Sequence, residues 1–479
     1  MTLFSDSDIK DAHKRGISKD SLNEQWIRLQ NGFPFIKLER AATVGDGIRR
    51  LPENEITRLK DMYEIHSDDY DILKFVPASG AATRMFKAVR ELYETPLSED
   101  AKTVLEKIEE FPFYPFLKKL MNTKGISIED LKSNPKLLAD LILNAVGLGY
   151  NNAPKGLIPF DLLDGHPTTA FEEQLAEANK LSGGKVHFTV AEFAMNDVKS
   201  LLGEKENISY SIQDHSTDYI AKDGDGPLRG KNGDLTFRPS GHGALLKNMD
   251  ELNDDIVIVK NIDNILPPGK NQTAIGYKKI LAGLLIELKQ QIDTFLLQLE
   301  NDPNADLNEM SEWIKTNLNR DFEASDKATI SNQLNRPLRI AGMVKNEGKA
   351  GGGPFWVKNT NGISLQIVEG AQIDMYAKKQ VEILNSSTHF NPVDLVCSLK
   401  DYKGQKFDLK DFIDRETGFD SEKNVDGKNV TIIERPGLWN GAMSGWNTVF
   451  VEVPVSTFNP VKSVNDLLER ASTPLSLTE

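Results

Sequence analysis

The feature that most constrains this chain is a repeated change in hydrophobic period. Short apolar runs with strand character recur along it: "DILKFVPASG", "KVHFTVAEF", "NISYSIQ", "DLTFRPSG", "DDIVIVKNIDN", "PLRIAGMVKNEG", "PFWVKNTNG", "ISLQIVEG" and "NTVFVEVPV". Between them lie stretches whose apolar residues recur every three or four positions. The clearest is Ala274 to Leu299, where Leu281, Leu284, Leu288, Ile292, Phe295 and Leu299 form the stripe of an amphipathic helix. Strands alternating with helices predict an α/β fold with a mainly parallel sheet covered on both faces. With 479 residues, 39% apolar and 27% charged, the chain has enough material for one large core with helical additions. The expected organisation is a helical N-terminal extension over 1–65 and an α/β domain over 66–479. That domain would carry helical insertions at about 88–150 and 272–330.

Charge narrows the function classes. The formal net charge of −14 excludes an overall basic surface for nucleic acid, so an anionic substrate would need a local basic cleft. The lone Cys397 excludes an intrachain disulfide, and no Cys/His spacing suggests zinc. A reducing, cytoplasmic setting fits, and Met1 to Lys10 shows no apolar leader. The stripe-bearing segment contains Lys278, Lys279, Glu287, Lys289 and Asp293, so it is not expected to enter a membrane.

Five segments carry residue types suited to phosphate chemistry. Pro77 to Lys87, "PASGAATRMFK", is a small-residue turn after a strand. Backbone N–H groups of Ser79, Gly80, Ala81, Ala82 and Thr83 could approach an anion there, and a following helix N-terminus would add positive dipole. Arg84 adds a bidentate fork. Taken alone, the segment reads equally as a tight turn with a solvent-facing arginine. Lys155, between Pro154 and Gly156, is expected on a stiff, exposed turn where its charge could neutralise a transferring phosphate. In "FRPSGHG", Gly241 and Gly243 flank His242 and would let backbone approach a planar base or sugar. The run Ile256 to Lys260 leads into Asp263, placing a hard carboxylate oxygen at a sheet's carboxyl edge, where Mg²⁺ with substrate phosphates would fit. Lys462, in "FNPVKSVNDLL", lies between a strand-like run and a helix start. Surface lysines, a structural histidine and a turn-capping aspartate are the competing readings for these last four.

The order of these segments resembles the uridylyltransferases that make UDP-sugars from UTP and sugar 1-phosphates, a branch of the nucleotide-sugar pyrophosphorylases. "PASGAATRM" is similar to that family's glycine-rich signature and "PKG" to its phosphate-binding proline–lysine. "HFTV" with "YSIQ" is similar to its paired strands, the second ending in a glutamine near the base. "PSGHG" is similar to its Gly-His-Gly loop, "VKNIDN" to the segment whose aspartate lies at the metal, and "FNPVKSVNDLL" to the segment whose lysine contacts phosphate. "KFVPASGAATRMFK", "GMVKNEGKAGGGPFW" and "PGLWNGAMSGWNTVFVEVP" look more like a bacterial domain-of-unknown-function family, the DUF4301 type common in Bacteroidetes. There are departures. Ser79 and Ala82 stand where the signature has glycines, and each side chain is expected to narrow the loop. Ala244 stands where the uridylyltransferases have aspartate. A long helical segment separates Arg84 from Lys155, where those enzymes have only a few residues.

The resemblance implies the nucleotide-diphospho-sugar transferase fold, GT-A and Rossmann-like. It implies Mg²⁺-dependent transfer of a nucleotidyl group from a nucleoside triphosphate, UTP being the first candidate, to a sugar 1-phosphate. In this reading Arg84, Lys155 and Lys462 are catalytic. Ser79 to Thr83, Gln213 and Gly241 to Gly243 hold the nucleotide, and Asp263 holds the metal. Gly352, Gly353 and Glu369 line the sugar-phosphate pocket. The partners are small molecules, with neither nucleic acid nor membrane, and a homo-oligomer stays open. Two other readings stay open as well: a catalytically silent binder of nucleotide sugars or sugar phosphates, and a glycosyltransferase using a nucleotide-sugar donor. The latter calls for an Asp-x-Asp motif where this chain has Asn261-Ile262-Asp263-Asn264.

Overall fold

Seven residues of the first apolar run, Ile72–Ala78, form a strand that is buried except at Pro77. A run buried on both faces is what a parallel strand beneath helices requires. A computed structural model of the chain describes residues 3–320, 322, 326–348, 351–359, 362–425 and 428–472. Of the glycine-rich patch 345–354, residues 349 and 350 lie outside the described residues, as do 321 and 323–325 of the second helical stretch. The chain divides into two units. One comprises Met1–Ile72, Gln213–Val259 and Lys278–Pro454; the other comprises Leu73–Ile212, Lys260–Tyr277 and Val455–Glu479. They are called here the first and second unit.

In the second unit, the strand Ile72–Ala78 pairs in parallel with Val186–Val190, in the register Lys74↔Val186 to Ala78↔Val190. That strand pairs in parallel with Ile208–Ile212. Helices Glu99–Glu106, Tyr114–Lys124, Ile128–Ser133 and Pro135–Leu143 fill the stretch between Arg84 and Lys155. Their apolar faces join those of the sheet in one core through Phe86, Phe111, Phe113, Leu138 and Phe188. Helix Ala170–Leu181 starts on a capping box, Thr169 with Glu172. It buries Glu177 against the strand residue Lys74, at 2.8 Å. A second buried ionic group ties down the last helix, Asp466–Ser472, where the Arg470 guanidinium reaches both Asp161 and Glu173, the latter at 2.7 Å.

In the first unit, Leu338–Lys345 pairs in parallel with Asn447–Glu452 and antiparallel with Asp394–Ser398. Gly47–Arg49 extends the parallel side. Three antiparallel strands, Leu38–Ala41, Gly353–Asn359 and Gly362–Val368, make a separate sheet. Strands over 38–49 thus interrupt the N-terminal stretch expected to be helical. "DLTFRPSG" yields only a two-residue strand, Phe237–Arg238. The six stripe residues from Leu281 to Leu299 are all buried. On the same helix, a Cβ at Gly283 would fall 1.9 Å from the Leu59 carbonyl oxygen, so helix Glu53–His66 can lie against it only because that residue is glycine. No helix among the described residues is long and apolar enough to cross a membrane.

Candidate functional site

Four chain segments of the second unit are laced together by backbone hydrogen bonds. The loop after strand Ile72–Ala78 meets the Pro154–Lys155 turn: Ala82 N donates to Ala153 O at 2.9 Å and Lys155 N to Gly80 O at 3.2 Å. The loop's far end accepts from the Val464 amide at Met85 O, 2.9 Å. The segment after strand Ile256–Lys260 is met by the chain before Lys462. Val461 N donates to Asp263 O at 2.9 Å, and Asn459 N donates to Asn264 Oδ1 at 3.0 Å. Behind Asp263, the buried Gln174 amide donates to Asn261 O at 2.9 Å.

This lacing brings together three residues that are far apart in sequence. Lys155 Nζ lies 2.8 Å from Asp263 Oδ2, and Lys462 Nζ lies 3.1 Å from the same oxygen. The Lys155 and Asp263 side chains are each 14% exposed, so Lys155 is withdrawn rather than on the exposed turn expected, whereas Lys462 is 65% exposed. Asp466 fixes the lysine's backbone by accepting the Lys462 and Ser463 amides at 2.6 and 2.8 Å. Gly156 is forced by packing, since a Cβ there would sit 2.5 Å from the Phe171 ring. Burial by itself would raise the Asp263 carboxyl, but the two ammonium groups outweigh it and hold it below the ordinary aspartate range. Burial lowers the Lys155 ammonium, Asp263 opposes that, and the charge of Lys462 adds to it. Lys155 and Lys462 repel each other across Asp263, Asp466 is a second carboxylate acting on Lys155, and repulsion between the two cations falls when a further anion arrives between them.

The small-residue loop after strand Ile72–Ala78 differs from expectation in two ways. Residues 82–84 form a single 3-10 turn and Lys87–Arg90 only one helical turn, so no extended helix dipole points at the loop. Ala82 is buried, and its amide is committed to Ala153, so it neither narrows the open side nor offers an N–H. Gly80 is open, with nothing within 4 Å of a Cβ position. Ser79 is half-buried, and Ala81, Thr83 and Arg84 are exposed.

In the first unit a second group forms around His242. Its ring stacks on Trp439 with centroids 4.1 Å apart and 12° between planes. Leu438 N donates to His242 Nδ1 at 3.0 Å. The ring proton therefore sits on Nε2, which faces Glu369 Oε1 at 3.3 Å. Asn440 Nδ2 donates to that Glu369 oxygen at 2.6 Å. Burial would raise the Glu369 carboxyl; hydrogen bonds and charge from His242, with Asn440, bring it below its ordinary range. A Cβ on Gly352 would fall 2.8 Å from Ile367 Cγ2 and 3.7 Å from Glu369 Cγ, and one on Gly353 would fall 2.7 Å from the Phe355 ring, so both glycines make room for the chain's own side chains next to Glu369. Gln213 Nε2 donates to Ser240 O at 2.9 Å, next to the His242 loop.

The glycines flanking His242 serve a different end from the one expected. A Cβ on Gly241 would fall 2.5 Å from Glu434 Oε2, and one on Gly243 would fall 2.4 Å from Pro436 O. The Gly241 amide donates to Glu434 at 3.1 Å. Their lack of side chains lets the loop lie on the chain's own segment 434–437. Sequence reasoning missed Trp439 and Asn440, although a tryptophan–asparagine pair among glycines in "PGLWNGAMSGW" was a legible signal. Trp439 is held from below by the fully buried Arg339, whose Nη1 donates to Trp439 O at 2.6 Å.

No group of three or more His, Cys, Asp or Glu able to hold a metal occurs among the described residues. Asp263 nevertheless fits a site of the one-carboxylate kind. Both lysines bind Oδ2, and Oδ1 takes no hydrogen bond from the described residues. A carboxylate in the turn beyond a strand, beside cations, and a glutamate beside a stacked histidine are groups suited to polar, phosphorylated small molecules.

The chain belongs to the DUF4301 family, described as a domain of unknown function, which matches residues 5–472. No curated protein matches it. Among solved structures it is similar to the UDP-glucose pyrophosphorylase of Leishmania major, with 12% identity and a TM-score of 0.45 over 96% of this chain and 77% of that one. It is also similar to a UDP-glucose phosphorylase of Trypanosoma brucei, with 11% identity and a TM-score of 0.49 over 97% and 78%. A third is the uridine diphosphate N-acetylglucosamine pyrophosphorylase of T. brucei, with 13% identity and a TM-score of 0.45 over 94% and 74%.

Proposed function

We propose that this protein is a nucleotidyltransferase that joins a nucleoside triphosphate, UTP first among candidates, to a sugar 1-phosphate and releases pyrophosphate. The observation that carries the reading is the meeting of Lys155 and Lys462 on Asp263, three residues from segments that resemble the phosphate-handling motifs of UDP-sugar synthesis. In the reaction, a sugar-phosphate oxygen attacks the α-phosphorus, the bond from that phosphorus to the β-bridging oxygen breaks, and pyrophosphate departs with the electron pair. No proton need move and no covalent enzyme intermediate forms. The protein's work is positioning and charge neutralisation.

In the second unit, Lys155 is largely withdrawn from water, so its charge acts at short range on an oxygen where negative charge accumulates. Lys462 is exposed and can follow a phosphate as it enters. Arg84, also exposed, adds a fork for non-bridging oxygens, and the Gly80, Ala81 and Thr83 backbone lines the open side of the loop. Asp263 would hold Mg²⁺, which, when bound, would supply charge neutralisation to the phosphates. In the first unit, Gln213 and the His242 loop are proposed to recognise the nucleotide. Glu369, oriented by His242 and Asn440, is proposed to accept hydrogen bonds from sugar hydroxyls beside Gly352 and Gly353.

The test is pyrophosphate release by the purified protein with Mg²⁺, across the common nucleoside triphosphates and sugar 1-phosphates. Release in one combination, cut about 100-fold by Lys462→Ala, is the expected result. That exposed lysine should contribute less than about 1 kcal/mol to stability, so the variant should unfold like the wild type. Absence of release in every combination would overturn the proposal, and nucleotide binding without turnover would replace it with a binding role.

A further inference from the structure

The first unit contains a cavity of about 370 Å³ on the far side of the His242 loop. Its volume lies within the range of small-molecule pockets. Gly243 and Ala244 form one wall, Ser21 to Arg28 of helix Lys19–Asn31 another, and Arg435–Pro436 a third. None of the residues discussed above for phosphate or sugar chemistry has its side chain in this lining. Five cationic side chains do: Arg28, Lys247, Lys410, Arg415 and Arg435. Glu24 is the one carboxylate in it.

Three of these cations have carboxylate partners. Arg28 grips Glu416, Lys247 lies 2.6 Å from Asp214, and Lys410 lies 3.6 Å from Asp250. Arg415 and Arg435 have none among the described residues. Arg435 lies over Tyr219, its guanidinium carbon 4.8 Å from the ring centroid. Its Nε is buried with no hydrogen-bond acceptor among the described residues. A buried guanidinium N–H without an acceptor is costly, and native structures rarely leave one so. A guanidinium with a free N–H can meet an oxyanion through its planar fork. Phe33, Tyr219, Leu246, Ile413 and Ile433 give the wall an apolar and aromatic part, and Ser21, Gln25, Ser216 and Thr217 add neutral polar groups.

We infer that this cavity binds a small organic anion, a phosphate or carboxylate head on a planar or aliphatic body. The head meets Arg435 and Arg415, and the body lies on Tyr219, Phe33 and Ile433. Both faces of the Gly241–Gly243 loop are then in use. One carries His242 against Glu369, and the other closes the cavity through Gly243 and Ala244. A bound anion would hold the 434–437 segment on which that loop rests, making the site a candidate effector pocket.

The experiment is calorimetric titration of the full chain with phenyl phosphate, with phenylacetate and with inorganic phosphate. The expected result is 1:1 binding of phenyl phosphate or phenylacetate, at least tenfold tighter than inorganic phosphate. Which of the two binds identifies the head group. Arg435→Gln should weaken binding tenfold or more. Because Arg435 is packed on Tyr219, Arg415→Gln at the exposed rim serves as a second variant that leaves packing intact, and it should also weaken binding. Lys462→Ala should leave binding unchanged, which separates this cavity from the lysine–aspartate cluster. The inference is overturned if neither organic anion binds, if inorganic phosphate binds equally well, or if binding survives both arginine variants.

Discussion

Each unit holds a largely buried carboxylate, and the two are held in opposite ways. Asp263 in the second unit is gripped by two full charges, Lys155 and Lys462, on a single oxygen. Glu369 in the first unit is held by an imidazole N–H and an amide, with an indole stacked behind the imidazole. Full charges act over distance and are indifferent to angle, which suits a polyphosphate whose oxygens shift during transfer. An imidazole and an amide act only along their bonds, which suits hydroxyls that must be told apart. The comparison predicts that damage to the first cluster will appear in turnover, and damage to the second in selectivity.

The strongest way to break that comparison is Asp263→Ala. It removes the carboxylate in contact with the buried Lys155 and leaves only the more distant Asp466 against it and Lys462, and losing one partner of a buried pair typically costs about 3 kcal/mol. Urea unfolding should show that loss, and pyrophosphate release should fall about 1,000-fold. An Asp263→Ala variant that turns over normally would remove Asp263 from the chemistry. Next in size is Gly156→Ala, which drives a Cβ into Phe171 and should destabilise the second unit by about 2 kcal/mol through overpacking. A smaller effect is expected from Glu369→Gln, which keeps the shape and removes the charge. The KM for the sugar phosphate should rise about tenfold, with the nucleotide KM little altered. Equal changes in both would undo the division of roles between the units.

The smallest expected effect is on acid stability. The folded Asp263 carboxyl lies below its unfolded value, so its stabilisation is present above the ordinary aspartate range and is lost as pH falls through the folded value. Wild-type melting temperature should therefore drop more steeply than that of Asp263→Asn on the acid side of about pH 4. Parallel curves would mean that the ion pairs contribute nothing to stability.

Much of the scaffold was legible beforehand. The stripe from Leu281 to Leu299 is buried as its spacing predicts, and "HFTV" and "YSIQ" are parallel neighbours. Strand ends were legible too, because an apolar run stops where polar residues begin. The site was less so. Ala82 was read as part of an anion cradle, but its amide belongs to Ala153. Gly241 and Gly243 were read as making room for a ligand, but they make room for Glu434 and Pro436. A glycine records that something comes close without recording what does. The tryptophan in "PGLWNGAMSGW" was a signal that the loop matters, but Trp439 carries no periodicity, so nothing local named His242 as its partner.

By itself, the sequence determined the alternation of strands and helices, the placement of Asp263 just beyond an apolar strand, and lysines in turns rather than in helices. Burial period and turn chemistry are local properties, encoded within a few residues. Only the tertiary structure decided that Lys155 and Lys462, 108 and 199 positions from Asp263, meet on the same oxygen. That meeting depends on backbone hydrogen bonds between loops distant in the chain, and a backbone amide carries no mark of its partner in the sequence.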